Sequence, residues 1–339
     1  MGCTMVIDIH GHVSAPLELY AYQAQQIASR GFHGKGRPAV DDEKVIAACT
    51  SHIELLQRLR IDMQLISPRP FAMMHSQQPE KIIHWFMEHA NDMIALQAKS
   101  YPDVFAPVCG LPQCGGVGPA NTLDELERCV RELGFVGCVL NPDPGEGDGL
   151  TPPLGDEHWY PLYEKLVELD TPALIHSGGC RSHRESYSGH FITEESIAIL
   201  SLVESTVFED FPALKLIVSH GGGSIPYQIG RWRAQRIQKN AEPFDTSLRR
   251  LWFDTVLYSP ESVDLLLRIV GTDRCLFGTE TPGIGSALDP ATGRYLDDLR
   301  PVLEEIDWLT DEQRTDVFEG NARQVFTRLL APPEGGIPA

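Results

Sequence analysis

The segment Met5-Val-Ile-Asp-Ile-His-Gly-His12 places polar side chains directly after a short apolar run, and this pattern recurs along the chain. Seven more short apolar runs follow, most of them continuous, as is typical of strands that are covered on both faces. The segments between the runs, such as Leu123–Leu133, repeat apolar residues at helical spacing. The eight predicted strands are Met5–Ile9, Met63–Ser67, Phe105–Gly110, Val136–Leu140, Ala173–His176, Leu216–His220, Trp252–Thr255 and Cys275–Thr279.

Eight strands that alternate with helices favour an α/β fold, a (β/α)8 TIM barrel, although the pattern alone leaves a doubly wound open sheet as an alternative. Two segments exceed what a minimal barrel needs. Val13–Thr50 is predicted to be an insertion after the first strand, and Gly145–Asp156 an exposed loop after the fourth. We expect residues 1–330 to form a single domain and residues 331–339 to be a disordered tail.

The charge balance limits the classes of partner. The 339 residues include 28 Lys and Arg against 47 Asp and Glu, a formal net charge of -19. Nucleic acids and anionic membranes bind basic surfaces, so we expect neither as a partner. No stretch approaches the roughly 20 apolar residues of a membrane span, and the start of the chain does not resemble a signal peptide. Eight cysteines without a CxxC pair indicate reduced thiols in a cytoplasmic protein, for which we expect a homo-oligomer.

Histidines and one carboxylate close several of the predicted strands. His10 and His12 lie two residues apart, so they point to the same side of the first strand. His176 and His220 end the fifth and sixth strands, and Glu280 ends the eighth. In a (β/α)8 barrel these ends share one face, which is the face where active sites are built. Imidazoles combined with one carboxylate favour Zn²⁺ or another borderline divalent ion.

These groups and several longer runs resemble the amidohydrolase superfamily, in the branch similar to aminocarboxymuconate-semialdehyde decarboxylase, which includes hydratases and C–C hydrolases. The resemblance covers nearly the whole chain and implies a TIM barrel of the amidohydrolase type. The runs that carry it are DMQLISPRPF (Asp62–Phe71), LNPDP (Leu140–Pro144), PPLGDEHWYPLYEKL (Pro152–Leu166), SHGGGSIPYQIGR (Ser219–Arg231), FDTVLY (Phe253–Tyr258), CLFGTETPG (Cys275–Gly283) and LDPATG (Leu288–Gly293).

The resemblance implies that His10, His12, His176 and Glu280 hold one divalent metal ion, with Zn²⁺ expected and Mn²⁺ compatible. It gives Glu280 a catalytic role as well, and it makes His220 a nearby base rather than a primary ligand. A metal-bound water can have its pKa lowered to about 7. A histidine with an ordinary pKa of about 6.5 is suited to move the proton of such a water.

Three further side chains are expected to bind substrate. Arg69 lies between two prolines after the second strand, and Arg231 follows the glycines Gly221–Gly223. A planar guanidinium matches carboxylate oxygens in pairs, so both arginines are predicted to clamp substrate carboxylates, with Tyr187 as a further candidate. The three glycines are predicted to let the backbone approach the substrate rather than to cradle a phosphate. Asp8 is either a partner of a ligand imidazole or a strand-edge acid.

The expected activity follows from the resemblance. Within the branch, the quoted runs are nearest to metal-dependent C–C hydrolases that act on carboxylated meta-cleavage products in aromatic and lignin catabolism. Glu280 stands where the decarboxylases have Asp, which disfavours decarboxylation. The expectation is a C–C hydrolase acting on a small aromatic-derived polycarboxylate; a 4-oxalomesaconate-type hydratase is the alternative, and a decarboxylase is a more distant one. The chain has no GxSxG motif, which disfavours a serine hydrolase.

Overall fold

The computed structural model describes residues 5–36 and 38–329, and a single sheet of eight parallel strands forms its centre. The strands are β1 (Ile7–His12), β2 (Met63–Ser67), β3 (Phe105–Gly110), β4 (Gly137–Leu140), β5 (Ala173–Ile175), β6 (Leu216–Val218), β7 (Trp252–Asp254) and β8 (Cys275–Leu276). Each strand pairs with its neighbour in the sequence, in the order β1 to β8. The chain after β8 returns to β1, because the N–H of Ile9 donates to the oxygen of Phe277 at 2.9 Å. The predicted (β/α)8 barrel is confirmed.

Burial explains why the strand sequences are continuous apolar runs. Every residue is buried in six of the eight strands, and only Met63 in β2 and Pro107 in β3 are partly exposed. One face of a barrel strand points into the barrel interior, and the other face packs against the helices. Because both faces are buried, neither favours polar residues. Ile7, Ile66 and Leu276 are fully enclosed in this way.

Helices surround the barrel in the positions that the apolar spacing predicts. Leu123–Leu133 contains a helix that ends two residues earlier than its apolar pattern, at Arg131. The helices are α1 (Leu17–Ser29), α2 (Asp42–Ala47), α3 (Thr50–Leu59), α4 (Lys81–Ser100), α5 (Leu123–Arg131), α6 (Tyr160–Glu168), α7 (Tyr187–Glu204), α8 (Val207–Asp210), α9 (Ile229–Lys239), α10 (Phe244–Leu248), α11 (Pro260–Val270), α12 (Leu299–Glu304), α13 (Asp311–Thr315) and α14 (Asn321–Val325).

The segment Val13–Thr50 holds the two helices α1 and α2, which pack on α4. The amide of Gln97, on α4, donates to the carbonyl oxygens of Ser14 at 2.8 Å and of Val45 at 2.9 Å. These bonds fix both ends of the segment to the same barrel helix. The predicted insertion is therefore a structured layer against the barrel.

The segment Gly145–Asp156 forms neither helix nor strand, as predicted. It is exposed at residues 148–150, whereas Leu154 is fully buried, so only part of it is an exposed loop. The seven described cysteines are free thiols, six of them buried. Among the described residues, no helix combines the length and apolar character that a membrane crossing requires. The predicted tail, residues 331–339, lies outside the described residues.

Candidate metal centre

The carboxyl ends of the barrel strands bring the predicted metal ligands together. Atoms of His10, His176, His220 and Glu280 that could bind a metal all lie within 4.8 Å of one another. His12 joins them from the end of β1, with its Nε2 3.7 Å from Oε1 of Glu280. All five residues are less than a tenth exposed. The four ligands predicted from the sequence therefore meet at one point in the fold.

Each imidazole is held through its Nδ1 atom, which leaves Nε2 facing the centre. His10, His12 and His176 have a buried Nε2 with no hydrogen-bond partner. A buried nitrogen without a partner is costly, and histidine ligands of metals characteristically bond a neighbouring oxygen through the other ring nitrogen. The donor set therefore fits a divalent cation. The Nδ1 contacts are His10 with Asp254 at 2.6 Å, His12 with Ser67 at 3.0 Å, His176 with the Ser177 oxygen at 2.7 Å and His220 with Glu195 at 2.7 Å.

Protonation agrees with a cation site. Burial lowers the pKa of His10, and it lowers the pKa of His12 to about 3, so both rings are neutral and can donate a lone pair. Burial would raise the pKa of Glu280, but His12, His176 and His220 hold it well below its ordinary value. Glu280 is therefore ionised, and the hydroxyl of Tyr258 donates to its second oxygen.

His220 occupies a position equivalent to that of the predicted ligands. Its Nε2 lies 3.8 Å from Oε1 of Glu280, the same distance as Nε2 of His176. Burial opposes its charge, but Glu195 and Glu280 raise its pKa well above the ordinary value. A cation among these groups would act in the opposite direction. The geometry alone does not separate a base from a fifth ligand, so the role of His220 stays a prediction.

Asp8 supports the backbone of the site rather than an imidazole. Its carboxylate is fully buried and accepts hydrogen bonds from Thr279 N, Thr279 Oγ1, Gln64 Nε2 and His10 N. Burial raises its pKa to about 6. These contacts join the end of β8 to β1 and β2, so they fix the segments that carry His10 and Glu280. Asp8 is therefore neither the partner of a ligand imidazole nor an acid at a strand edge, the two roles that the sequence left open.

A cavity of about 470 Å³ opens onto the centre, and His12, His220 and Glu280 form part of its wall. Arg69 and Tyr187 line the same cavity, as their predicted role in substrate binding requires. Nη1 of Arg69 donates to the oxygen of Pro282 at 3.1 Å, which fixes the guanidinium at the cavity wall. Phe71, Phe191, Leu257 and Ile284 supply apolar surface.

Arg231 is the predicted substrate-binding residue that the single chain does not bring to this cavity. It lies exposed on α9, in a separate surface depression with Gln228 and Trp232. Its position follows from α9, which begins at Ile229, well after β6 ends at Val218. Its role in binding substrate stays a prediction.

Three residues at the centre were not identified from the sequence. Asp254 ends β7 and bonds His10, and its place at a strand end in the run FDTVLY was a usable signal. Tyr258, in the same run, donates to Glu280. Glu195, which lies within α7, bonds His220. The one sequence signal for this role is that Glu195 is a charged residue on an otherwise apolar helix face. All three orient the predicted groups.

Comparison with known proteins agrees with this geometry. The model of the amidohydrolase family matches residues 7–328, which span every strand and helix described above. The chain belongs to the amidohydrolase family. It is 37% identical over 333 residues to 2-keto-4-carboxy-3-hexenedioate hydratase of Sphingobium sp., covering 96% of this chain and 97% of that protein.

A solved structure extends the likeness to three dimensions. The crystal structure of 4-oxalomesaconate hydratase from Rhodopseudomonas palustris superposes with a TM-score of 0.88 at 34% identity, over 96% of each chain. Gamma-resorcylate decarboxylase of Rhizobium sp. is 31% identical over 214 residues, which cover 57% of this chain and 64% of that enzyme. The family branch expected from the sequence is therefore confirmed, and its hydratases are nearer than its decarboxylases.

The expectation of a C–C hydrolase is wrong in the light of these relatives. Two relatives that match 96% of this chain, at 37% and 34% identity, are both hydratases. The sequence reasoning failed here because a hydratase and a C–C hydrolase of this family share the features on which it relied, including the strand-end histidines and Glu280. The hydratase alternative is the better supported of the two.

Proposed function

We propose that the chain is a metal-dependent hydratase, a hydro-lyase that adds water to the C=C bond of a small keto polycarboxylate. The observation that carries the proposal is the 37% identity over 333 residues to 2-keto-4-carboxy-3-hexenedioate hydratase. The site supports it, because a cluster fit for a cation opens onto a cavity that also contains an arginine. We propose a substrate of the same class, with a ketone conjugated to the C=C bond and several carboxylates.

The metal is proposed to be one divalent ion, with Zn²⁺ preferred and Mn²⁺ as the alternative. Several imidazoles and one carboxylate are donors that both ions accept. When bound, such an ion acts as a Lewis acid and makes water more acidic. His10, His12, His176 and Glu280 would hold it, each fixed by the neighbours described above.

Arg69 is proposed to bind a substrate carboxylate and so to set the position of the C=C bond. The guanidinium has five N–H donors, more than its bond to Pro282 uses, and it faces a cavity with few other cations. Charge-assisted bonds of this kind are short and directional. Tyr187, which lines the same cavity, is proposed to assist, since burial raises its pKa to about 12 and its hydroxyl remains a neutral donor.

His220 is proposed to move the proton during hydration. Adding water to a conjugated C=C bond removes one proton from water and delivers one to carbon, so a group that can exchange a proton must face the cavity. Nε2 of His220 faces the centre, and Glu195 on Nδ1 stabilises the imidazolium that forms when the ring accepts a proton. Glu195 thereby acts as a positioning residue.

Loss of conjugation gives a direct test of this function. Purified protein is mixed with 2-keto-4-carboxy-3-hexenedioate, whose ketone is conjugated to the C=C bond, and the ultraviolet absorbance is followed before and after removal of metal with a chelator. We expect the absorbance to fall with the native protein, to persist after chelation, and to fall again once Zn²⁺ or Mn²⁺ is restored. Unchanged absorbance with metal-loaded, folded protein would refute hydration of this substrate.

A further inference from the structure

A second cluster of potential metal ligands lies between the loop after β4 and the first turns of α7. Ligand atoms of Asp143, His190 and Glu194 lie within 4.8 Å of one another. These three residues line a cavity of about 540 Å³ that shares no lining residue with the cavity at the first centre. Asp143 belongs to the run LNPDP, to which the proposed hydration assigns no role.

The imidazole of His190 indicates that this cluster accommodates a ligand. The side chain is 1% exposed, and its Nδ1 contacts Oε2 of Glu185 at 2.8 Å. Its Nε2 is buried without a hydrogen-bond partner and lies 3.6 Å from Oδ2 of Asp143, too far for a hydrogen bond. Leaving a buried nitrogen unpaired costs free energy, and a bound ion would remove that cost.

The two carboxylates are arranged to complete such a site. Asp143 accepts the backbone N–H groups of Gly145 and Gly147, which hold its carboxylate towards His190. Glu194 lies on α7 one turn after His190, on the same face of the helix. Its carboxylate therefore reaches the same point as the ligand atoms of His190 and Asp143.

We propose that Asp143, His190 and Glu194 bind a second divalent cation, distinct from the ion of the proposed hydration reaction. One imidazole with two carboxylates suits a borderline ion such as Mn²⁺ or Zn²⁺. The contact from Glu185 to Nδ1 of His190 is the carboxylate–histidine arrangement that orients metal ligands. Cys180 and Glu185 form an alternative cluster with His190, but the bond from Nδ1 of His190 to Glu185 leaves Nε2 for the site with Asp143 and Glu194.

At the proposed second site, a bound ion would have a structural role. Helix α7 presents Tyr187 and Phe191 to the first cavity and His190 and Glu194 to the second. An ion held by Asp143 from one side and by α7 from the other ties the loop after β4 to the start of this helix. Tyr187 lies in that same first turn, so the second ion would fix a wall of the substrate cavity.

The proposal is tested by counting bound Mn²⁺ on the full chain. Metal-stripped protein is dialysed against Mn²⁺, and the metal bound per chain is measured by mass spectrometry, with an electron paramagnetic resonance spectrum of each sample. We expect two ions per chain for the native protein and one for Glu194→Gln. Glu280→Gln should also retain one ion, with a spectrum different from that of Glu194→Gln, because the remaining ion occupies the other site.

Two control variants show whether the loss of a bound ion is specific to the second site. Glu204→Gln, an exposed position on the same helix, and Cys180→Ser should both retain two ions. Glu194→Gln is the deciding variant, because Glu194 is only partly buried and its substitution should leave the fold intact, whereas His190→Ala would remove a buried ring. One ion per chain in the native protein, or two ions in folded Glu194→Gln, would overturn the proposal. Because the readout is metal content, failure of the hydratase assay would leave this result unaffected.

Discussion

At the scale of single residues, Asp254 is a group that does not bind the metal itself but holds one of the proposed ligands, His10, so its substitution measures how much such a group contributes to metal affinity. Its Oδ2 lies 2.6 Å from Nδ1 of His10, and both side chains are fully buried. Removing such a partner of a ligand histidine typically lowers metal affinity 10- to 100-fold. We therefore expect Asp254→Asn to lose affinity for Zn²⁺ by about that factor, measured by competition with a coloured chelator.

Asp311→Asn is the matched control for this measurement, because Asp311 is 92% exposed and contacts Arg314 rather than the centre. Its metal affinity should equal that of the native protein. Unchanged affinity in Asp254→Asn would mean that His10 does not need its carboxylate partner in order to bind.

Arg69 tests the proposed recognition of a substrate carboxylate. A hydrogen bond to a charged group contributes roughly 1.5–3 kcal/mol, so Arg69→Ala should lower kcat/KM about 10- to 100-fold, chiefly through KM. Arg69→Lys keeps the charge but not the planar fork and should recover only part of the loss. Steady-state kinetics with metal-saturated protein measure both variants. A normal KM in Arg69→Ala would exclude the guanidinium from substrate binding.

Arg231 is tested in the same assay, since its predicted role is open. In the single chain it lies outside the cavity of Arg69. A rise in KM for Arg231→Ala would support the sequence-based prediction, and native kinetics would contradict it.

Glu194 makes the stability of the metal-free protein depend on pH. Its pKa is raised from 4.5 to about 7 by burial and by the charges of Asp143 and Glu185, while His190 acts in the opposite direction. A carboxyl group whose pKa is higher in the folded than in the unfolded state destabilises the fold when it ionises. The free energy of unfolding therefore falls as pH rises from about 4.5 to about 7. In chelator, Glu194→Gln should therefore gain little free energy of unfolding at pH 5 and, because Glu194 is partly exposed and solvent screens its charge, only roughly 1–3 kcal/mol at pH 8.

Urea denaturation of both proteins at the two pH values measures this difference. Glu204→Gln serves again as the control and should show no comparable dependence. A gain in Glu194→Gln that stays constant between pH 5 and pH 8 would show that Glu194 titrates normally.

At the scale of structural elements, the three glycines after β6 show how close packing positions His220. Gly223 has a φ of +61°, and a Cβ there would lie 2.6 Å from the backbone oxygen of Ile192 on α7. The neighbours of Gly221 and Gly222 are likewise protein side chains, of Leu257 and Phe253. The glycines therefore allow close packing within the protein, whereas the sequence had predicted close approach to substrate.

Gly223→Ala should consequently destabilise the fold by about 2–4 kcal/mol, from the left-handed backbone and the clash together. Gly293→Ala is the matched control, because Gly293 has a similar φ of +69° but open space around it. It should cost about 1 kcal/mol. Equal losses of free energy of unfolding in the two variants would show that the contact with Ile192 is unimportant.

The strands were predictable from the sequence, and some of their ends were not. Continuous apolar runs identify all eight strands because barrel strands are buried on both faces. The run Cys275–Thr279 contains only a two-residue strand, since Phe277 and Thr279 bond to other segments. The helices of Val13–Thr50 were missed because Gly31, Gly34, Gly36 and Pro38, which lie between α1 and α2, gave the whole segment the composition of a loop.

At the scale of the whole molecule, barrel closure is what makes the centre possible. His10 lies near the start of the chain and Glu280 near its end, and they meet because β8 follows β7 around to β1. The strand-end ligands were predictable for this reason. Glu195 was not, because it lies inside a helix and only packing determines which helix residue faces a barrel centre.

The activity itself was not resolved by these features. Members of one family share the metal ligands and differ in the cavity wall, so the reading of the site had to come from relatives that match the whole chain. The expected homo-oligomer likewise stays a prediction, which light scattering of the purified protein measures.

Mass balance of the reaction is the most direct test of the central proposal, that this barrel is a hydratase. Metal-loaded protein is incubated with 2-keto-4-carboxy-3-hexenedioate in ¹⁸O-labelled water, and all products are identified by mass spectrometry. We predict a single product that equals the substrate plus one water and carries one non-exchangeable ¹⁸O atom. Two fragments from a cleaved carbon–carbon bond, or release of carbon dioxide, would contradict the account.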